Sequence, residues 1–206
     1  MRLQEALSQI AEIREQMARS QLFRGYRSVT TLFSAWMAVA ASLIQYFWIG
    51  EGTLEQVLRA LWVWLGAAII SLFVVGIEMV GRYRRSEIAL HRELTLSAVE
   101  QFLPCLIAGA MLTYAIVQWA GYSISLLPAL WAMLFGLGVF ASRRVLPRGT
   151  FLIGAWYLLA GMLCVAIRRY VSFSSQMAGT FGGGQALAAA VLYWTLERKR
   201  PSKKAQ

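Results

Sequence analysis

The sequence predicts an all-α, polytopic membrane protein with six transmembrane helices arranged as three hairpins. Six apolar runs of about 19 to 24 residues fill the chain, and about 20 apolar residues in a helix cross the ~30 Å hydrocarbon layer of a bilayer. The chain is 58% hydrophobic and only 15% charged, whereas a soluble domain has about a quarter of its residues charged. The predicted spans cover residues 29–49, 58–81, 102–120, 124–142, 149–167 and 178–196.

The placement of positive charge predicts that both termini lie in the cytoplasm, because Lys and Arg accumulate in cytoplasmic segments. With the N-terminus inside, all but three of the 20 Lys and Arg residues fall on the cytoplasmic side; the exceptions are Arg59, Arg168 and Arg169. Topology and attraction to anionic lipid headgroups then account for the net charge of +10, so we expect membrane lipids and no nucleic acid as partners. We predict a bacterial inner (plasma) membrane as the location.

Residues 1–28 are predicted to form a cytoplasmic amphipathic helix followed by a hinge at Gly25. Apolar residues recur at spacings of 3 and 4, and the opposite face is charged. A helix of this length is marginal alone in water, so it needs the bilayer interface, the end of its own bundle or another chain. We hypothesise that it binds a protein partner or a second copy of the chain. The candidate partner-binding residues are Leu3, Leu7, Ile10, Ile13, Met17, Phe23, Arg24 and Tyr26.

The helix EIREQMARS at residues 12–20 is followed by FRGYRS at residues 23–28. This combination resembles a group of uncharacterised bacterial multi-span membrane proteins, which have an N-terminal amphipathic helix followed by an FRGY-like segment. The resemblance covers about residues 10–28. It implies a membrane protein with several spans, and it carries over no activity, cofactor or site residue.

Two further segments lie outside the predicted spans of the membrane domain, which covers residues 29–196. Residues 82–101 are too long for a turn and are predicted to form a cytoplasmic helical connector. Residues 197–206 are predicted to be a basic cytoplasmic tail, which suits anionic headgroups.

Composition excludes several kinds of catalysis. The chain has no Asp and a single His, His91. A zinc site needs three or four protein ligands, and a Ser–His–Asp triad needs an Asp. We therefore predict no catalytic residues, no metal site and no cofactor, and the sequence favours a non-enzymatic protein.

Three charged residues near span ends are candidate ligand-binding residues, because ionisable groups in a membrane are costly and often functional. Glu78 precedes Arg82 by four residues, so it either forms an ion pair or binds a proton or cation at a cytoplasmic mouth. Arg168 and Arg169 lie at the predicted outer end of the fifth span. They either contact lipid headgroups or receive an anionic ligand from outside.

The glycine-rich start of the sixth span supplies the remaining candidate ligand-binding residues, Gly182, Gly183, Gly184 and Gln185. The pattern lacks the Lys of a phosphate-binding P-loop. Gly179 and Gly183 form a small-xxx-small face, which predicts close helix packing. The alternative is an unwound, ligand-facing segment as in discontinuous transporter helices.

Buried amides and indoles in the spans need hydrogen-bond partners, so they either tie helices together or line a polar cavity. Three amides fall in the outer halves of spans, namely Gln45, Gln118 and Gln185. Three indoles fall deeper, namely Trp36, Trp131 and Trp156. Trp64 is expected at the outer interface.

These features favour a non-enzymatic interaction, regulatory or assembly subunit that acts through its cytoplasmic face. The alternative is a small transporter or channel for an anionic or amphiphilic solute, with an outer-side site at Arg168, Arg169 and the segment 179–185.

Overall fold

The computed structural model describes residues 28–50, 53–85, 89–142 and 149–194, and the regular elements in these ranges are all helical. The predicted N-terminal amphipathic helix and the basic tail lie outside the described residues. The α-helices of the described ranges are α1 (Ser28–Ile44), α2 (Leu54–Arg85), α3 (Ala89–Trp119), α4 (Leu127–Ala141), α5 (Thr150–Ile167), α6 (Phe173–Met177) and α7 (Gly183–Leu192).

Five stretches of the described chain are long and apolar enough to cross a membrane, which confirms the prediction of an all-helical chain with several membrane-compatible helices. Some begin earlier than the hydropathy pattern indicates, since α2 starts at Leu54 and α3 is already helical at Ala89. The second half of the predicted connector is therefore continuous with the third span. The five stretches are Ser28–Ile49, Leu54–Gly81, Leu96–Trp119, Gly121–Ala141 and Thr150–Ile167.

The sixth predicted span corresponds to a helical segment of mixed geometry and is not among the five. α6 passes through a π-helical turn, Ala178–Gly182, directly into α7. Serine, glutamine and four glycines lower the hydropathy of this segment in residues 174–185. A π-helical turn also closes α1, over Gln45–Ile49.

Local capping interactions define the hairpin between α1 and α2. Gly50 has φ of +78°, a conformation that favours glycine, and its N–H donates to the carbonyl of Gln45 at 2.8 Å. Thr53 and Gln56 then form a reciprocal capping box. The Gln56 N–H donates to Thr53 Oγ1 at 3.2 Å, and the Thr53 N–H donates to Gln56 Oε1 at 3.0 Å.

α4 and α5 make the most extensive helix–helix contact among the described elements. Small residues permit it, because they let two backbones approach closely. A Cβ built on Gly161 would lie 2.8 Å from Met133 Cγ and 3.0 Å from the Ala129 carbonyl. A Cβ on Gly136 would lie 3.1 Å from the carbonyl of Gly154.

α1 presents a buried stripe of small residues, Thr31, Ala35, Ala38 and Ala41. The stripe packs against α7 and against α2. α7 contacts α1 more extensively than it contacts α5, so the predicted pairing of the fifth and sixth spans is not the main contact of α7. The three-hairpin arrangement is not confirmed by these contacts.

Tyr157 on α5 lies at the centre of the core and is fully buried. Its ring centroid is 4.6 Å from that of Phe135 on α4 and 5.6 Å from that of Phe181 in the π-helical turn. The rings fill the space where α4, α5 and the last helical segment meet. Rings at these separations contribute beyond their buried area.

Large apolar side chains also cover the outside of the bundle. Trp48 is 83% exposed, Trp62 75% and Phe73 68%. Contiguous apolar surface of this kind marks contact with a membrane or with another protein. It agrees with the membrane-compatible lengths of the helices.

Candidate functional site

The two arginines of the predicted outer-side site follow the last turn of α5, and both are exposed. Arg168 is the residue that ends the helix, where the helix dipole favours a positive charge. Tyr170, in the turn that follows, is 87% exposed. Arginine beside an exposed aromatic residue is typical of a membrane interface, so headgroup contact and binding of an anionic ligand both fit this setting.

The glycines of the predicted site lie against other helices. A Cβ on Gly184 would be 2.5 Å from Cζ of Tyr157, closer than any real contact. A Cβ on Gly183 would be 3.0 Å from Cζ2 of Trp156. Both positions therefore admit α7 to close contact with α5.

Gly182 and Gly179 differ in their surroundings. Gly182 faces α1, where an added Cβ would be 3.4 Å from Cγ2 of Val39. Gly179, one of the two glycines of the predicted packing face, has nothing within 4 Å of an added Cβ. Tight packing thus falls on Gly183 and Gly184, whereas an added Cβ at Gly182 would make an ordinary van der Waals contact. Gln185 follows them on α7 and is half-buried.

The arginines and the glycines lie at different depths in the bundle. Tyr157, which contacts Gly184, precedes Arg168 by about 16 Å of helix, at 1.5 Å per residue. Gly182 lies about 14 Å along the last helical segment from Phe173. A ligand bound to both groups would therefore have to span about 16 Å along the helix.

Glu78, the candidate near the other end of the bundle, joins two helices. Oγ1 of Thr30 on α1 donates to Oε2 of Glu78 on α2 at 2.6 Å. The sequence pointed to Arg82 as the partner of Glu78, and the side chain of Arg82 lies outside the described residues. The bond to Thr30 is a helix–helix contact that sequence spacing does not reveal, since the two residues are 48 positions apart.

A group of buried polar side chains near the end of α1 and in the last helical segment was not predicted as a unit. Its members are at most 5% exposed: Gln45, Ser174, Gln176 and Thr180. The Ser42 hydroxyl donates to the Ser174 carbonyl at 3.1 Å and so ties α1 to α6. The Thr180 hydroxyl lies 3.2 Å from Sγ of Cys164.

Gln176 is the member of this group with capacity left for another molecule. Its amide Nε2 donates to the carbonyl of Val171 at 2.8 Å. Its carbonyl Oε1 is buried and has no hydrogen-bond partner among the described residues. A buried acceptor without a donor costs about 1–3 kcal/mol, so this atom suits a water or a ligand that donates a hydrogen bond.

Indole groups supply three further ties between helices. The Trp64 N–H donates to Oε1 of Gln45 at 2.7 Å, and both side chains are buried. Trp64 is thus an interior residue of the bundle. The sequence lacks a signal for this pair, because Trp64 sits in a run of other apolar and aromatic residues.

Two of the three deeper indoles have the acceptors that their depth requires. The Trp131 N–H donates to Oγ1 of Thr113 at 2.7 Å, and that hydroxyl donates to the carbonyl of Gly109 at 2.7 Å. The Trp156 N–H donates to the carbonyl of Thr180 at 3.2 Å. The third, Trp36, is 69% exposed on the outside of α1.

An open groove of about 650 Å³ runs along one face of α2, outside the bundle. Its lining is apolar except at one end, where Arg84 is exposed. The lining residues are Ile69, Leu72, Phe73, Gly76, Ile77, Val80, Gly81 and Arg84; we call this feature the α2 groove.

The described residues contain no group of three or more His, Cys, Asp or Glu side chains placed to hold a metal ion. The candidate partner-binding residues of the N-terminal helix lie outside the described ranges. No protein-family model matches the chain, and comparison with curated proteins and with solved structures gave no match.

Proposed function

We propose that this chain is a non-enzymatic subunit of the bacterial inner membrane, acting in interaction, regulation or assembly through its cytoplasmic face. In this proposal the chain crosses the membrane six times, the last crossing being the α6–α7 segment, and both termini lie in the cytoplasm. The distribution of Lys and Arg supports that orientation, since only Arg59, Arg168 and Arg169 would face outward.

The observation that carries the proposal is that buried polar groups form hydrogen bonds between helices. Gln45 and Trp64 bond to each other, Thr113 bonds to Trp131, and the Ser142 hydroxyl donates to the Ala98 carbonyl at 3.3 Å. Each bond joins two helices. Polar groups that bond across helices stabilise one arrangement of the bundle.

The aromatic core supports the same proposal. Tyr157, Phe135 and Phe181 occupy the space between α4, α5 and the last helical segment. Gly184 admits the Tyr157 ring to contact with the backbone of α7. Such a bundle is suited to hold a cytoplasmic binding surface in a fixed place, and the N-terminal helix has the composition to be that surface.

Affinity capture from solubilised membranes, after mild cross-linking, tests this proposal. Replacing Leu7, Ile10 and Ile13 by Asn removes the apolar face of the N-terminal helix. Replacing Glu5, Glu12 and Glu15 by Gln changes three residues on its charged face and is the matched control. We expect the first variant to lose a partner that the second variant retains. Capture of the same proteins by all forms of the chain would contradict the proposal.

A small transporter or channel for an anionic or amphiphilic solute is the second candidate. The π-helical turn Ala178–Gly182 and the buried carbonyl of Gln176 favour it, because π-helical turns occur often at functional sites. The exposed pair Arg168 and Arg169 would attract an anion to that side of the membrane.

Solute flux into proteoliposomes tests the second candidate. Replacing Arg168 and Arg169 by Gln should slow the uptake of anions. Arg59→Gln is the control, since Arg59 is exposed on the same predicted side and bonds to Glu55 at 2.6 Å. Flux that is absent, or equal in all of these proteins, would count against a transporter.

A further inference from the structure

We infer that the α2 groove is a binding site for one anionic phospholipid, whose acyl chain lies along the apolar part and whose phosphate meets Arg84. The inference rests on the membrane orientation proposed above, which puts the Arg84 end of α2 on the cytoplasmic side. It adds a specific lipid site to the general contact with lipid that any membrane helix makes.

The shape of the groove fits a chain and not a compact ligand. The residues lining it form a continuous stripe at spacings of 3 and 4 along α2 alone. Gly76 and Gly81 have no side chain and so leave a recess between larger neighbours, and an added Cβ at either position would meet no atom within 4 Å. The flanking side chains of Phe73 and Ile77 are more than half exposed and stand on either side of Gly76 in sequence.

The length of the groove matches one leaflet. From Ile69 to Val80 is about 16 Å of helix, and half of the ~30 Å hydrocarbon layer is about 15 Å. Arg84 lies about 6 Å further along the axis, which is the depth of the headgroups. Arg84, the charged residue among the described lining residues, is therefore at the depth where a lipid carries its phosphate.

The charges around the groove favour an anion. Arg84 is exposed at its end, and guanidinium binds phosphate through paired hydrogen bonds. The nearest acidic residue of α2, Glu78, does not line the groove and accepts a hydrogen bond from Thr30 of α1. A second copy of the chain is a less favourable occupant. A two-fold dimer would bring two Arg84 side chains of like charge together, and any other dimer would leave Arg84 without an anion.

The test is native mass spectrometry of the full chain in mild detergent, doped with equal amounts of phosphatidylglycerol and phosphatidylcholine. We expect one phosphatidylglycerol to be retained per chain in preference to phosphatidylcholine. Arg84→Gln should lower that preference about fivefold, the effect of one cation near an anionic surface. Arg59→Gln, an exposed arginine near the other end of α2 that is paired with Glu55 at 2.6 Å, is the matched control and should leave the preference unchanged.

A second variant tests the apolar part. Gly76→Leu fills the recess and should abolish retention of either lipid. Gly66→Leu adds the same bulk to α2 one turn beyond the groove, where an added Cβ also has nothing within 4 Å, and should retain the lipid. If Gly76→Leu does not yield a folded protein, Arg84→Gln still decides the question, because its side chain is exposed.

Three results would overturn the inference: equal retention of the two lipids, equal loss in a variant and its control, or a dimer that only Gly76→Leu dissociates. The last result would assign the groove to a second copy. Failure of the proposed orientation can be told apart from failure of the lipid site. In the first case lipid retention would persist, and Arg84 would prove to lie on the outer side of the membrane.

Discussion

The indole N–H of Trp64 donates to the side-chain carbonyl of Gln45 at 2.7 Å, and neither side chain is more than 4% exposed. This bond joins the π-helical end of α1 to the first third of α2. It also shields an amide and an indole from lipid, where polar groups without partners are costly.

Replacing Trp64 by Phe should destabilise the bundle, because it removes the indole N–H and leaves the Gln45 carbonyl one donor short. We expect a loss of about 1–2 kcal/mol in the free energy of unfolding, measured by SDS titration of the protein in mixed micelles. Gln45→Leu should cost a similar amount, and the double variant should cost less than the sum of both. Strict additivity of the two would show that the bond contributes nothing.

Replacing Gly184 by Ala should destabilise the protein, since the new Cβ would sit 2.5 Å from the Tyr157 ring. Overpacking of this kind costs about 1–3 kcal/mol. Gly179→Ala is the matched control, because its Cβ has open space and alanine favours helix by up to about 1 kcal/mol. Melting temperatures that fall equally in both variants would mean that the packing at Gly184 is not tight.

Replacing Glu78 by Gln should leave stability nearly unchanged if its role is to join α1 and α2, because an amide oxygen also accepts from Thr30. Thr30→Val, which removes the 2.6 Å bond, should cost about 1 kcal/mol or more. Thermal unfolding of both variants makes the comparison. If Glu78 instead bound a proton or cation for transport, Glu78→Gln would lose solute flux into proteoliposomes while its stability stayed unchanged.

The two cysteines should differ in reactivity. Cys164 is buried, with its sulfur 3.2 Å from the Thr180 hydroxyl, whereas Cys105 is half-buried on α3. Access limits thiol modification, so we expect N-ethylmaleimide to label Cys105 at least several-fold faster in the folded protein. Peptide mass spectrometry over a time course measures both rates, and SDS-unfolded protein is the reference. Equal rates would mean that the contact of α5 with the π-helical turn opens readily.

The proposed topology predicts where an impermeant maleimide reacts. Tyr122 is 90% exposed in the turn between α3 and α4, and we place that turn outside. In a background with Cys105 and Cys164 replaced by Ala, Tyr122→Cys should label on intact cells. Epitope tags at both termini should resist protease in right-side-out vesicles. Tags on opposite sides of the membrane would mean an odd number of crossings and would exclude six spans.

Five of the six predicted spans correspond to helices long and apolar enough to cross a membrane, because hydropathy sums over about 20 residues and tolerates local variation. Their neighbours were not predictable. α4 and α5 are apolar around most of their circumference, so composition does not define which face is buried. The sequence of α1 was more informative, because Thr31, Ala35, Ala38 and Ala41 form a stripe of small residues that marks a contact face.

The polar contacts between helices were harder to predict, because the residues they join lie far apart in the chain. Glu78 was identified from its charge in an apolar run, and its bond to Thr30 depends on how α1 and α2 are rotated about their axes. Gln176 was not singled out, since a glutamine that follows two serines is typical of a polar loop. The α2 groove left no signal because its glycines have ordinary helical neighbours.

The π-helical turn at Ala178–Gly182 has a consequence for insertions and deletions. A π-helical hydrogen bond joins residue i to i+5 and so takes one more residue into the turn than an α-helical bond does. The side chains of α7 are therefore rotated by about 100° about the helix axis from where an uninterrupted α-helix of the same sequence would put them. Removing a single residue, for example Gly179 with its open surroundings, would let the turn revert to an α-helix. The π-helical turn holds the extra residue, so after its removal α7 would keep its orientation and Gly184 would still face Tyr157. The same deletion from a regular α-helical stretch would rotate the following residues by about 100°, so this turn is where the segment tolerates a change of length.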